Sequence, residues 1–472
     1  MKEINLGKIF SRLGYVYIML PFCIFIIGWC KWYVWIPGMI IILACAFGLF
    51  KNESINYKVT ITKQVIIRLI VIFLIIAAWV LLSGIGKVAY QSYDHIWRNQ
   101  IFEMLVKYEW PVVTVHNGSS LMLVYYIAFW LPAAIFGKLF GVAAGYIFQV
   151  VWAFIGVCVA YMFICIYLKK IKIWPLIIFV FFSGLDILGV PVENKLPPLT
   201  WGSHIEWWTQ LQYSSFTTQL FWVFNQAIFA WIIFMMIMLQ KDNKYKIFTI
   251  AFAVLAAPFP FVGMLPFLIY KMIKTNMDEN KKVQWKVFFK ELFTVPNILG
   301  GGFVGMLSFF YLHSNMASNI VGNSTYYASK YFVLHLLIAA FFEYLLYCAT
   351  IFKTQMKNPL FYVMLGTLFV VPWISVGSSA DFCMRASIPA LMILYLLVVD
   401  TLEKSQKTKK KIAMIVLICL LTIGAVTPFQ EFTRAIINSP QKNSMVTEEE
   451  VWESLNFIGD REQGLFNKYL SK

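Results

Sequence analysis

Apolar residues run along this chain in long stretches, at about 14–30, 33–50, 65–85, 121–137, 142–168, 175–190, 216–240, 247–273, 298–312, 328–352, 359–376, 386–402 and 411–428. Short polar connections separate them. Roughly 20 apolar residues cross a bilayer core as a helix, and helix is required because lipid offers unpaired backbone groups no partner. The alternating ten-residue segments of a membrane β-barrel are absent from the sequence. The pattern predicts an all-α, polytopic transmembrane bundle of about 11–13 spans over 1–428. A polar tail follows over 429–472, with a short helix opening at Glu448-Glu449-Glu450.

Composition excludes a soluble domain. The 472 residues are 60% hydrophobic and 13% charged, whereas a soluble domain carries roughly a quarter charged residues. The net charge of +16 invites a nucleic-acid reading, but the lysines are scattered among interhelical loops. That distribution fits the basic bias of cytoplasmic loops, so no nucleic-acid partner is expected. The eight cysteines lie in or beside apolar stretches without CxxC spacing, as small buried hydrophobes do. The polar start with Lys2, Lys8 and Arg12 leads into a first span rather than a cleaved signal peptide.

Basic clusters follow Phe50, Leu239, Tyr270, Phe352 and Leu402. By the positive-inside rule these connections and the N-terminus are cytoplasmic, which sends 86–120, 191–215, 313–327, 377–385 and the tail to the outer face. Two places break a simple zigzag. Residues 121–168 are too short for three spans, so a half-crossing or membrane-lying helix plus one span is expected. Residues 247–273 have Lys on both flanks and contain Ala256-Ala257-Pro258-Phe259-Pro260. A Pro-broken re-entrant hairpin is the expected solution. Asn225 and Gln226 fall inside a span, where amides are expected to bond between helices. No internal repeat is visible, which disfavours an inverted-repeat transporter.

Candidate chemistry concentrates in the outer segments. The first reads Tyr90-Gln91-Ser92-Tyr93-Asp94-His95-Ile96-Trp97-Arg98, then Trp110-Pro111. Ile101, Leu105 and Tyr108 recur at helical spacing, predicting an amphipathic helix lying on the membrane over 95–108. Asp94 at its head can cap the helix, take a proton from an acceptor hydroxyl or hold a divalent cation. The second segment holds Glu193, Asn194, Trp201, His204, Glu206, Trp207, Trp208 and Tyr213. Aromatic residues there anchor at a membrane interface, and with polar edges between them they also suit a sugar. A metal site from His95, His204 and Glu206 lacks ligand spacing. The third runs Gly377-Ser378-Ser379-Ala380-Asp381-Phe382-Cys383-Met384-Arg385. With six Arg against 33 Lys, Arg385 at the outer boundary suits a phosphate held two-pronged, or a helical pair with Asp381. Arg98 is a second phosphate candidate. Asp186 and Glu343 lie within spans, where an acid is a functional suspect by default.

An outer first loop with Asp94 soon after an early span, a helix behind it, Trp110-Pro111, and the Lys-flanked broken hairpin together resemble the GT-C superfamily of polytopic membrane glycosyltransferases. The acid often paired with the first is replaced here by His95. The resemblance implies hexosyl or pentosyl transfer at the outer face of the cell membrane. The donor would be a polyprenyl-phosphate sugar, and the acceptor a glycan, lipid or protein. Asp94, with His95 beside it, falls in the catalytic position. Arg98, Glu193, His204, Glu206, Trp207, Asp381 and Arg385 fall in the substrate-binding region. The first-loop acid of that superfamily serves as catalytic base or binds metal, so a divalent cation at Asp94 is the one cofactor the resemblance suggests. The competing readings are a transporter or lipid flippase, fed by Glu343, Asn225 and Asp186, and a scaffold that binds partners through its tail.

Overall fold

The computed structural model describes residues 3–193, 200–319, 331–376, 381–408, 411–440 and 446–472. Among these, eight helices are long and apolar enough to cross a membrane, or nine if the bent pair Trp285–Leu292 and Pro296–His313 is one span. This is a multi-pass helical bundle. At its centre lies Phe216–Leu239, nearly every side chain of which is buried. Ser215 caps it by accepting from the Thr218 amide at 2.9 Å, satisfying one of the donors that a helix start leaves open. Val142–Leu168 packs alongside it. Gly156 there leaves room for the Tyr17 ring and Ile228, so three helices close together without a gap.

The connections sort to two ends. At the lysine-rich end, β1 (Glu3–Asn5) pairs antiparallel with β2 (Lys58–Thr60). Glu403 there takes Lys170 at 2.6 Å and Lys172 at 2.8 Å. This puts the 169–172 turn with the other basic connections and resolves the passage from 121 to 168: Leu131–Phe140 is a ten-residue helix and Val142–Leu168 the single long one. The broken hairpin is also present. Lys246–Ala256 and Pro258–Thr275 meet at Ala257, where Pro258 opens the second helix. Its two ends adjoin: Asn243 Nδ2 donates to the Met272 carbonyl at 3.0 Å, and Lys246 Nζ reaches Thr275 Oγ1 at 3.3 Å. The chain therefore returns to the end it left.

At the opposite end β3 (Val113–His116), β4 (Ser119–Leu123) and β5 (Ile458–Asp460) form an antiparallel sheet in that order. The tail is thus built into the bundle. The Val124 amide donates to the Phe457 carbonyl at 2.8 Å, and buried Phe466 packs on Phe25 and Tyr311.

Three expectations need correction. The apolar stretch 121–137 is not one helix: its start is β4, turned by Asn117 and Gly118, both at positive φ. Asn-Gly in that conformation is a hairpin turn. The 95–108 segment is a helix, Tyr93–Lys107, but it does not lay one face on lipid. Most of it is buried, packed against Leu131–Phe140 and against Glu448–Glu453 of the tail. Lastly, fewer helices are long enough to span than there are apolar stretches. Leu131–Phe140, Lys246–Ala256 and Pro359–Trp373 are all short, because Pro, Gly and 3₁₀ turns break stretches whose hydropathy is continuous.

Candidate active site

The central helix is broken at Val223, whose φ of −132° and ψ of 32° leave the helical region. A helix that breaks frees carbonyls from their i+4 donors. Phe221 O accepts from His95 Nε2 at 2.7 Å, and Trp222 O accepts from Arg98 Nη1. The Tyr93–Lys107 helix is thereby riveted to the centre of the bundle. Because a carbonyl only accepts, His95 carries its proton on Nε2, and Nδ1 faces Gln91 Nε2 at 3.3 Å. Burial, and then the Arg98 charge, pull the imidazole pKa down to about 3. His95 is neutral, and it stands behind the site rather than in it.

In front of that rivet lies a cavity of about 710 Å³. Asp94, Trp97 and Arg98 enter it from the Tyr93–Lys107 helix, Tyr125 and Tyr126 from the turn after β4, Pro258 and Phe259 from the hairpin apex. Asp381 and Arg385 come from a short helix 283 residues or more beyond Asp94–Arg98 in sequence. The tail closes the wall with Ser454, Asn456 and Phe457. Two i,i+4 ion pairs face each other there: Arg98–Asp94 at 2.8 Å and Arg385–Asp381 at 3.1 Å. Their exposure is unequal. The arginine side chains are 4% and 6% exposed, the aspartates 38% and 53%, so carboxylates front the cavity and guanidiniums back them. Both cations also sit over aromatic faces, Arg98 over Phe224 and Arg385 over Phe259. Burial opposes the charge on Arg385, but Asp381, with Tyr126 and Asp94 adding to it, holds the guanidinium pKa above its ordinary value. Its buried Nε has no hydrogen-bond partner among the described residues. Gly263 seats this short helix: a Cβ there would collide with the Ala386 carbonyl.

The segment after Thr200 builds a different cluster. His204 Nδ1 meets Glu431 Oε1 at 2.6 Å, and the other Glu431 oxygen takes Trp222 Nε1 at 3.0 Å and Arg434. Glu206 is buried, accepting from the Ser215 amide at 2.9 Å and Thr218 Oγ1 at 2.6 Å. Burial, and then neighbouring Asp186, push its carboxyl up to about 7. Asp186 takes Trp208 Nε1 at 3.0 Å and Thr427 Oγ1 at 2.7 Å. Glu343, on a π-helical turn, is buried beside it.

Of the residues singled out in the sequence, then, Asp94, Arg98, Asp381 and Arg385 share one cavity. His204, Glu206 and Trp207 do not line it, and the Glu193 side chain, Asn194 and Gly377–Ala380 lie outside the described residues. Asn225 and Gln226 are buried, and their amides make no hydrogen bond among the described residues, so they do not tie helices together as expected. Sequence reading missed Tyr125, Tyr126, Phe259, Asn456 and Phe457, and it missed Glu431 and Arg434. The scarcity of Arg that marks Arg385 marks Arg434 equally.

The residues present do not fit a resident divalent cation. Among the described residues no three His, Cys, Asp or Glu side chains converge on a metal position, and both cavity carboxylates already hold an arginine. His95, His204 and Glu206 each have a separate partner, so the metal site considered from them does not form. The fold and the two-ended sorting define a multi-pass helical membrane protein with a charged, aromatic-walled cavity at one end. Comparison with family models, curated proteins and solved structures finds no match.

Proposed function

We infer that the protein is a membrane glycosyltransferase of the GT-C kind, moving a sugar from a polyprenyl-phosphate donor to a hydroxyl-bearing acceptor. In this reading the lysine-rich end is cytoplasmic, the hairpin is re-entrant, and the cavity opens to the outer face. One observation carries the reading: the early Asp94–Arg98 pair and the late Asp381–Arg385 pair meet in one cavity walled by Tyr93, Trp97, Tyr125, Tyr126, Phe259 and Phe457. Flat aromatic faces suit sugar C–H groups, and the volume lies within the range of small-ligand pockets.

The chemistry assigns each group a task. The acceptor oxygen attacks the anomeric carbon as the bond from that carbon to the phosphate oxygen breaks. Asp94, the more exposed member of its pair, accepts the acceptor's proton. Arg98 spends Nη1 on the Trp222 carbonyl and Nη2 on Asp94, and its task is to orient the base. Arg385, whose Nε–H has no partner among the described residues, stabilises the negative charge of the departing phosphate. The order of roles thus differs between two arginines that look alike in sequence.

Binding of polyprenyl phosphate, the expected product, tests the assignment. Wild-type protein in detergent or nanodiscs should retain it, and Arg385→Ala should not. Equal retention by both would remove Arg385 from the site, and with it the phosphate side of the proposal.

A further inference from the structure

Trp285–Leu292 stands apart from the other described α-helices, because none of its eight residues is buried. It follows a turn carrying Lys281 and Lys282 and leads, through a 54° bend, into the span Pro296–His313. At 100° per residue, Trp285, Phe288, Phe289 and Leu292, with Phe293 just beyond, fall on one stripe. Their rings form a ladder: Trp285 stacks on Phe289 and Phe289 on Phe293, each pair about 6.0 Å apart. Lys286 and Lys290 border the stripe on one side. Glu291 borders it on the other and pins the helix to the bundle, accepting from the Asn243 amide at 3.0 Å and Asn276 Nδ2 at 3.1 Å. Glu291 holds one edge and Phe288 and Leu292 pack partly against the core, while Trp285, Phe289 and Phe293 stay exposed.

Two features identify what covers that face. The exposed apolar stripe runs on into the next span through Val295, Ile298, Leu299, Met306 and Phe309, so whatever covers the span also meets the ladder. The border is cationic: Lys281, Lys282, Lys286 and Lys290 take part in no ion pair among the described residues. An apolar stripe edged by lysines and continuous with a span is the arrangement that seats a helix in the plane of a membrane interface, and such lysines favour anionic head groups.

We propose that Trp285–Leu292 is an interfacial anchor that binds anionic phospholipid. Its aromatic ladder lies at the acyl boundary, and Lys281, Lys282, Lys286 and Lys290 hold the head groups. The inference stands independently of any sugar transfer at the far end of the molecule.

The test uses the full-length protein in nanodiscs of phosphatidylcholine alone or mixed with phosphatidylglycerol. Thermal midpoints are read for the wild type and for a variant with all four lysines changed to Ser. The wild type should melt higher with phosphatidylglycerol, and the variant should match the wild type in phosphatidylcholine but lose that increment. Head-group retention should weaken roughly fivefold per lysine removed. An equal increment in both proteins overturns the proposal. Quenching by brominated lipid supplies a reading that does not depend on stability. The fluorescence difference between wild type and Trp285→Phe should be quenched; an unquenched difference would mean that protein or water covers the ladder, and would also overturn the proposal.

Discussion

Trp222 separates two polar clusters built from the same kinds of side chain. Its carbonyl accepts from Arg98 on the cavity side, and its indole donates to Glu431 on the other. Each cluster pairs arginine with acid beneath an aromatic ring. In the Glu431 cluster the valences close: His204, Trp222 and Arg434 occupy the carboxylate, which is 1% exposed. In the cavity they do not all close among the described residues: the Asp94 side chain is 38% exposed and Arg385 Nε has no partner there. Residue type therefore does not separate a candidate site from a structural knot. Unspent hydrogen-bonding capacity beside an open volume does.

Substitutions sharpen that contrast, beginning with the largest effect. Asp94→Asn removes the proton acceptor while keeping its shape, and the transfer rate should fall by about 10²–10⁴, with the melting midpoint little changed. Arg385→Gln should lower turnover on the order of 10²-fold; a change in donor affinity alone would contradict a role on the departing phosphate. Across Trp222 the readout changes from rate to stability. Glu431→Leu leaves Arg434 without its partner and should cost about 3–5 kcal/mol, measured by denaturation, while the protein that remains folded keeps its rate within a few-fold. If Glu431→Leu abolished turnover in protein that melts normally, the contrast between the clusters would be wrong.

Acid should act through the rivet between them. An unfolded His95 takes up a proton below about pH 6.5, whereas the folded one resists until about 3. The unfolded state therefore binds more protons across that window, and stability falls as pH drops through it, with a slope approaching about 1.4 kcal/mol per pH unit. His95→Gln should flatten that slope. The smallest effect is expected from Phe457→Ala. It trims the cavity wall at the tail and should alter acceptor affinity only several-fold, measured as KM, because Trp97 and Tyr125 still line that side.

Hydropathy made the helical bundle legible, and lysine placement made its two ends legible, including the hairpin that turns back at Ala257-Pro258. Asp94 and Arg385 stood out because an acid at a loop entrance and a scarce arginine away from the lysine loops both call for a reason. Other features left weaker traces. Asn117-Gly118 signalled a hairpin, but the apolar run after it obscured the strand. His95, beside Asp94, looks like a partner in chemistry until the break at Val223 exposes the carbonyl that claims it. No periodicity marks such a break, since it depends on what the neighbouring helix offers. The tail's share of the cavity was equally hidden: Phe457 joins Trp97 through β-sheet pairing over more than three hundred residues of sequence, and local pattern carries no record of that contact.

The central claim is that the cavity holding Asp94 and Arg385 performs the transfer. The most direct test is the rate at which purified protein releases polyprenyl phosphate from a series of polyprenyl-phosphate sugars in the presence of acceptor, wild type beside Asp94→Asn. Turnover of at least one donor is expected from the wild type, with a fall of about a hundredfold or more in the variant. Equal rates in two properly folded proteins would contradict that claim.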